Sequence, residues 1–177
     1  ALYYGCSPEI IKTALETIKI PGRSELVPNK KELSIMIDYA HSPESLENIL
    51  QAVKTYTKGR VIVVFGCGGD RDKTKRPIMG EIAGRIADYS IVTSDNPRTE
   101  DPEAITKDIE EGISKTKGKY EVIVDRTQAI EKAISMANKK DIVILAGKGH
   151  EPYQEINHQK YPFDERIIVK DIINNMK

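Results

Sequence analysis

The chain has little of what marks specialised environments. Its two cysteines, Cys6 and Cys67, lie far apart, which gives neither a disulfide framework nor zinc-ligand spacing. No apolar run approaches the roughly 20 residues a bilayer-spanning helix needs, so a membrane protein is not expected. The opening ALYYGCSPEI lacks the basic start and long apolar stretch of a secretion signal. Net charge is absent too. The 27 Lys+Arg cancel the 27 Asp+Glu, so no overall field draws the chain to nucleic acid or acidic lipid. A monomer in a reducing cytoplasm is the expectation. No GxxxxGK[ST] phosphate loop and no GxGxxG occurs anywhere.

What is present is enough for one domain. The 177 residues are 39% hydrophobic, which supplies a core, and 31% charged, which supplies a solvated surface. From residue 33 onward apolar runs alternate with helical spacing. LSIMIDYA (33–40), RVIVVFG (60–66), YSIVTS (89–94), YEVIVD (120–125) and DIVILAG (141–147) read as strands, mostly apolar throughout and hence covered on both faces. Between them come helices over 42–57, around 76–87, from Asp101-Pro102, and from Thr127 to Ala137. In the first of these, Leu46, Ile49, Leu50 and Val53 share one face, and Ser42 with Pro43 supplies the start. A hairpin-like stretch (153–162) precedes a last helix from about Asp164. The pattern predicts an α/β fold. It is a Rossmann-like, mostly parallel sheet of about six strands with helices on both faces and an antiparallel C-terminal hairpin strand.

The first thirty residues stand outside that rhythm. SPEIIKTALETIKI reads as a helix capped by Ser7 and ended at Pro21-Gly22, followed by the polar connector RSELVPNKKE. A helix and linker before an α/β unit resemble the tail of a preceding domain, which makes the chain a fragment of a longer protein. An ordinary N-terminal helix is the alternative.

In open parallel sheets, ligands sit at the carboxyl ends of the strands. The loops there are Asp38-Tyr39-Ala40-His41, GCGGDRDKTKR (66–76), Ser94-Asp95-Asn96-Pro97-Arg98 and Gly147-Lys148-Gly149-His150-Glu151. All are polar, charged or glycine-rich. In the second loop Arg71 stands nearest the strand end and is expected to face inward, with Lys73, Lys75 and Arg76 at the surface. A plain tight turn is the competing interpretation of that loop. In the third, Pro97 stiffens an elbow that carries Asp95, Asn96 and Arg98. Arg grips carboxylates bidentately and Asp takes ammonium. Asp95 and Glu151 facing ammonium, with Arg71 and Arg98 facing carboxylate, suit an amino acid with more than one charged end. His41 and His150 match no metal pattern and have no nucleophile at a recognisable spacing. No catalytic residue and no metal ligand is assigned within the chain.

Five blocks occur in a fixed order: PGR (21–23), DYAHSPESLENIL (38–50), FGCGGDRDKTKRPIMG (65–80), SDNPRTEDP (94–102) and AGKGHEPYQ (146–154). Together they resemble the C-terminal part of the Mur ligases, in the DNPR version of the meso-diaminopimelate-adding enzymes rather than the lysine-adding ones. The resemblance implies ATP-dependent amide formation in peptidoglycan synthesis. Its reactants are ATP, meso-diaminopimelate and UDP-N-acetylmuramoyl-L-alanyl-D-glutamate. It implies amino-acid contacts at Arg71, Asp95, Asn96, Pro97, Arg98, Gly147 and Glu151, and nucleotide contacts at Arg23 and Asp38 with His41 beside them. It divides the chain into a tail of the central ATPase domain plus linker (1–30) and the C-terminal domain (31–177). The Mg2+ ligands and phosphate loop would lie outside the chain, leaving it without turnover of its own. The competing view is a stand-alone α/β module for a nucleotide or small ligand, with no catalysis.

Overall fold

A computed structural model describes residues 1–18 and 20–176. A 3-10 turn (Leu2–Tyr4) leads into α1 (Pro8–Thr17), capped by the Ser7 hydroxyl, which accepts from Ile10 N–H. The sheet follows as β1 (Glu25–Leu26), β2 (Ser34–Asp38), β3 (Val61–Phe65), β4 (Tyr89–Val92), β5 (Tyr120–Val122) and β6 (Ile142–Ala146). Its helices are α2 (Pro43–Tyr56), α3 (Lys75–Ile86), α4 (Pro102–Ile113), α5 (Arg126–Met136) and α6 (Glu165–Asn175). The strand order is β1-β2-β6-β3-β4-β5, parallel except for β1. The α/β, mostly parallel six-strand sheet is as the sequence predicts.

Two details differ. The sixth strand is β1, inside the segment expected to be a connector. It pairs Glu25 with Ile37 and Leu26 with Met36, antiparallel. The C-terminal hairpin does not join the sheet. β7 (Tyr153–Ile156) and β8 (Gln159–Pro162) form a separate antiparallel pair through a two-residue turn, Asn157-His158, both at positive φ, as such turns require, and Ile156 adds an isolated parallel bridge to Arg98.

Burial on both faces follows from the uninterrupted apolar strands. Val61, Val63 and Phe65 of β3 face α2, α3 and α4, against Leu46, Leu50, Met79, Ile82, Ile105 and Ile109. Ile62 and Val64 point the other way, onto Ala129, Ile130 and Ile134 of α5 and Val169 and Ile173 of α6. Alternation along one strand thus feeds two cores. Helix starts are set by local chemistry. Ser42 and Ser45 form a reciprocal capping box, and Asp101, Asp125 and Asp164 cap α4, α5 and α6.

A fully buried arginine side chain in this core is paired. Arg126, at the start of α5, donates from Nε to Glu165 Oε1 at 2.8 Å, from Nη1 to the Ser94 carbonyl at 3.3 Å and from Nη2 to the Ala146 carbonyl at 2.9 Å. Truncating one member of such a pair strands the other in low dielectric, at a cost of about 3–5 kcal/mol. Arg126→Met is therefore expected to lose about that much stability in urea unfolding. Arg126→Met with Glu165→Leu should recover only part, because the two carbonyls stay unpaired.

α1 is the opposite case. None of its described side chains is buried, and Ile10, Leu15 and Ile18 stand exposed at its surface and end. Its amides should exchange with solvent far faster than those of β3 and β6. Protection equal to the central strands would contradict this.

Candidate functional site at the carboxyl edge of the sheet

The loops that leave β2, β3, β4 and β6 converge through hydrogen bonds rather than through a shared apolar patch. Gly147 N–H donates to the Asp38 carbonyl at 3.0 Å and Gly69 N–H to the Asn96 carbonyl at 2.9 Å. Asp95 and Asn96 are 6% and 5% exposed, so the elbow turns its acid and amide inward.

Asn96 is held at both ends of its amide. Oδ1 accepts from Lys148 Nζ at 3.0 Å and from Glu155 N–H at 2.9 Å, while Nδ2 donates to Glu151 Oε2 at 2.8 Å. Asp95 Oδ1 lies 3.7 Å from Lys148 Nζ. Glycine at 147 is a steric requirement. Its φ is +117°, and a Cβ there would run into Asp95 Oδ2. The structure therefore brings Asp95, Asn96, Gly147 and Glu151 together as expected.

Arg98 adopts φ +51°, sparsely populated for a side chain of its size. The hairpin secures it. Arg98 N–H donates to the Glu155 carbonyl at 3.0 Å, Asn157 N–H donates to the Arg98 carbonyl at 2.8 Å, and Arg98 Nε meets Glu155 Oε2 at 3.1 Å. Nη1 donates to the Gly69 carbonyl at 2.8 Å. Gln154 Nε2 donates to the Asp95 carbonyl at 2.7 Å. Pro97 and Arg98 also border a cavity of about 860 Å³, together with Gln154, Ile156 and Phe163.

The second loop corrects the sequence expectation. Arg71 is exposed and donates to the neighbouring Asp70 carbonyl at 3.0 Å. The inward cation is Arg76, 1% exposed. It takes both oxygens of Glu100 at 2.9 and 3.0 Å and Asp108 Oδ2 at 2.8 Å. The reason is periodicity. Arg76 lies in the first turn of α3, where its direction is set by the helix face packed on α4, whereas Arg71 sits in the loop before it.

Of the residues expected to contact a nucleotide, Asp38 is 7% exposed and has both carboxylate oxygens engaged. Oδ2 accepts from Ser24 N–H at 2.7 Å and Oδ1 from Ala40 N–H at 2.9 Å. Arg23 is exposed and lies over the Tyr39 ring, 4.8 Å from its centroid. His41 is exposed, with Nδ1 2.7 Å from the Tyr39 carbonyl oxygen, and its ring lies 4.5 Å from that of Tyr39. Gly22 packs directly on the backbone of Gly149 and His150, which binds the linker to the last site loop. Among the described residues, no group of three or more His, Cys, Asp or Glu could hold a metal ion. No described helix is long and apolar enough to cross a membrane.

A family model, the glutamate ligase domain of the Mur ligases, matches residues 22–149. The chain belongs to the Mur ligase family. It is 54% identical over 157 residues to the UDP-N-acetylmuramoyl-L-alanyl-D-glutamate–2,6-diaminopimelate ligase of Clostridioides difficile, covering 89% of this chain and 32% of that protein. To the ligase of the same name from Caldanaerobacter subterraneus it is 52% identical over 171 residues, covering 97% of this chain and 36% of the relative. A solved structure of a 2,6-diaminopimelate ligase of this kind superposes with a TM-score of 0.81 at 39% identity, over 98% of this chain and 36% of that one. The chain thus spans about a third of the length of the curated relatives it matches. These Mur ligase relatives confirm the resemblance carried by the five ordered blocks.

Two missed residues complete the site. Lys148 is fully buried between Asp95 and Glu151, and Glu100 anchors Arg76. The hydrogen bonds from Arg76 hold the Glu100 carboxyl at about 2, below its ordinary 4.5. A depressed carboxyl contributes stability that is complete above pH 4.5 and lost as pH falls towards 2. The thermal unfolding midpoint should therefore fall as pH drops across that window, and Glu100→Gln should flatten the acid limb while lowering the neutral-pH midpoint.

Proposed function

We propose that this chain is the C-terminal, amino-acid-delivering part of an ATP-dependent ligase. That enzyme joins meso-diaminopimelate to UDP-N-acetylmuramoyl-L-alanyl-D-glutamate in peptidoglycan synthesis. The observation that carries the proposal is the inward cluster of Asp95, Asn96 and Glu151 beside an arginine on a rigid elbow. Relatives about half identical bear the name of that ligase.

In this reading, residues 1–30 are the tail of the central ATPase domain with its linker, and 31–177 are the C-terminal domain. The protein works in the cytoplasm as a monomer, without membrane or nucleic acid. Asp95 and Glu151 meet an ammonium group, and Asn96 Nδ2 has a second N–H to offer a carboxylate. Gly147 lets ligand and loop backbone approach closely. Arg98 uses Nε and Nη1 within the protein, which leaves donors of its fork for a carboxylate. Arg71, at the exposed rim, meets the second carboxylate end, and Pro97 keeps the elbow stiff.

The exposed Arg23 and His41 suit a nucleotide's anionic and ring groups, and Asp38 holds the linker turn that presents Arg23. ATP, when bound with Mg2+ held by residues outside this chain, supplies the phosphoryl group that activates a carboxylate for amide formation. The present residues bind and orient the amine. Orientation of this kind is worth several kcal/mol of barrier when the reacting atoms are held in near-attack geometry. The chain alone is expected to hydrolyse no ATP, and magnesium-dependent turnover by purified 1–177 would contradict this.

Selectivity tests the proposal in the complete ligase. Lysine differs from meso-diaminopimelate chiefly by lacking the distal carboxylate. A charge-assisted partner lost from a buried site typically costs about 2–5 kcal/mol. Arg98→Ala should therefore lower kcat/KM for meso-diaminopimelate by that amount and leave kcat/KM for lysine nearly unchanged. Equal losses for both amino acids would reduce Arg98 to a turn residue.

A further inference from the structure

We infer that Lys148 is a positioning residue of the amino-acid site, a built-in ammonium that sits between Asp95 and Glu151, balances one of their two charges and fixes which way round the Asn96 amide points. The inference rests on the proposed amino-acid site and adds a residue to it.

The geometry is specific. Lys148 follows Gly147 at the end of β6, and its side chain is completely buried. Nζ lies 3.0 Å from Asn96 Oδ1, 3.6 Å from Glu151 Oε2 and 3.7 Å from Asp95 Oδ1. The Tyr153 and Phe163 rings each stand 5.8 Å away, so aromatic faces line the other sides. A lysine in a glycine-rich loop would ordinarily reach solvent. Here all of its polar partners are the residues expected to receive the amino acid.

The charge balance explains its presence. The groups acting on Lys148 are Asp95 after β4, Glu151 in its own loop, Arg126 of α5 and Glu165 of α6. Arg126 and Glu165 neutralise each other at 2.8 Å. What remains is two carboxylates and one ammonium, a net single negative charge, which one incoming ammonium group balances. Without Lys148 two carboxylates would face one poorly solvated site with no cation between them, and their mutual repulsion would push them apart. Both acceptors would then lose the placement that an incoming ammonium needs. The Lys148 pKa lies below its ordinary 10.5, because burial draws it down more than Asp95 and Glu151 raise it, with Arg126 adding to the lowering.

Asn96 depends on the same contact. With Oδ1 receiving Lys148 Nζ and Glu155 N–H, its Nδ2 is obliged to face Glu151 and the site. Loss of the lysine removes the stronger of the two constraints, because a charged donor makes the stronger hydrogen bond.

Three measurements on the complete ligase test this. In steady-state kinetics, Lys148→Met should raise KM for meso-diaminopimelate about tenfold or more, while KM for ATP and for the UDP-linked substrate stays within about twofold. With Lys148→Ala, added n-propylammonium, which replaces the deleted atoms, should restore much of the affinity, and n-propanol should not. An unchanged KM in Lys148→Met, or equal rescue by the alcohol, overturns the inference and leaves Lys148 a packing residue.

The third measurement needs no variant, so poor folding of either substitution does not block the test. Calorimetric titration of the wild-type ligase with meso-diaminopimelate near pH 7, in buffers of different ionisation enthalpy, should show no linked proton. Release of about one proton would mean that a carboxyl of the pair is protonated beforehand, and would overturn the inference. A wild-type ligase that does not use meso-diaminopimelate at all would instead sink the proposed function. An active wild type that releases a proton on binding, or whose Lys148 variants are unaffected or rescued equally by the alcohol, sinks this inference alone.

Discussion

The carboxyl edge of the sheet depends on one buried guanidinium. Where parallel strands end, their loops diverge and leave carbonyl groups without ladder partners, and a buried unpaired carbonyl costs about as much as a lost hydrogen bond. Arg126 resolves this for two strands together. It donates to the carbonyl of Ser94, just after β4, and to that of Ala146, the last residue of β6. Those residues are the roots of the two loops that carry Asp95, Asn96, Gly147 and Glu151. Glu165 compensates the charge, and because it opens α6 the same pair fixes that helix against the sheet. The spacing between the two loops is therefore set below them, before any contact between their tips.

Upon that base the elbow is held from several sides. The hairpin supplies Glu155 and Gln154, the glycine-rich loop supplies Gly69 and, through Arg76 and Glu100, a bidentate ion pair, and the last loop supplies Lys148. Arg98 is the clearest consequence. A non-glycine residue at positive φ persists only where its surroundings over-determine it. Here two backbone hydrogen bonds to the hairpin and two side-chain bonds do so. A guanidinium held in this way loses little further freedom when it meets a carboxylate, which is the condition for selectivity between amino acids that differ by one such group.

How much of this is legible in the sequence varies with the range of the interaction. The five apolar runs, the caps at Ser42 and Asp101 and the loops after each strand follow from local pattern, because periodicity and capping act over a few residues. β1 does not, since two residues, Glu25 and Leu26, carry no period and gain their pairing only from Ile37 and Met36 across the intervening polar loop. The choice between Arg71 and Arg76 turns on which side of α3 meets α4, a fact of packing. Lys148 is the hardest case. In sequence it is a polar residue between two glycines, and its burial arises because the following hairpin folds back to bring Tyr153 over it while Phe163, between that hairpin and α6, closes the other side.

The linker shows how the two halves of the site are joined. Gly22 and Gly149, both at positive φ, bring the connector and the last site loop into backbone contact, closer than any side chain would permit. Ser24 then reaches Asp38, so the turn that presents Arg23 is fastened to the end of β2. The loop two residues beyond Gly149 presents Glu151 to Asn96. A shift of the linker by even an ångström would press on the Gly149–His150 backbone and move Glu151 with it, because close-packed backbone transmits displacement rather than absorbing it. Arg23 on one side and Glu151 on the other thus belong to a single mechanical unit, although more than a hundred residues separate them in the chain.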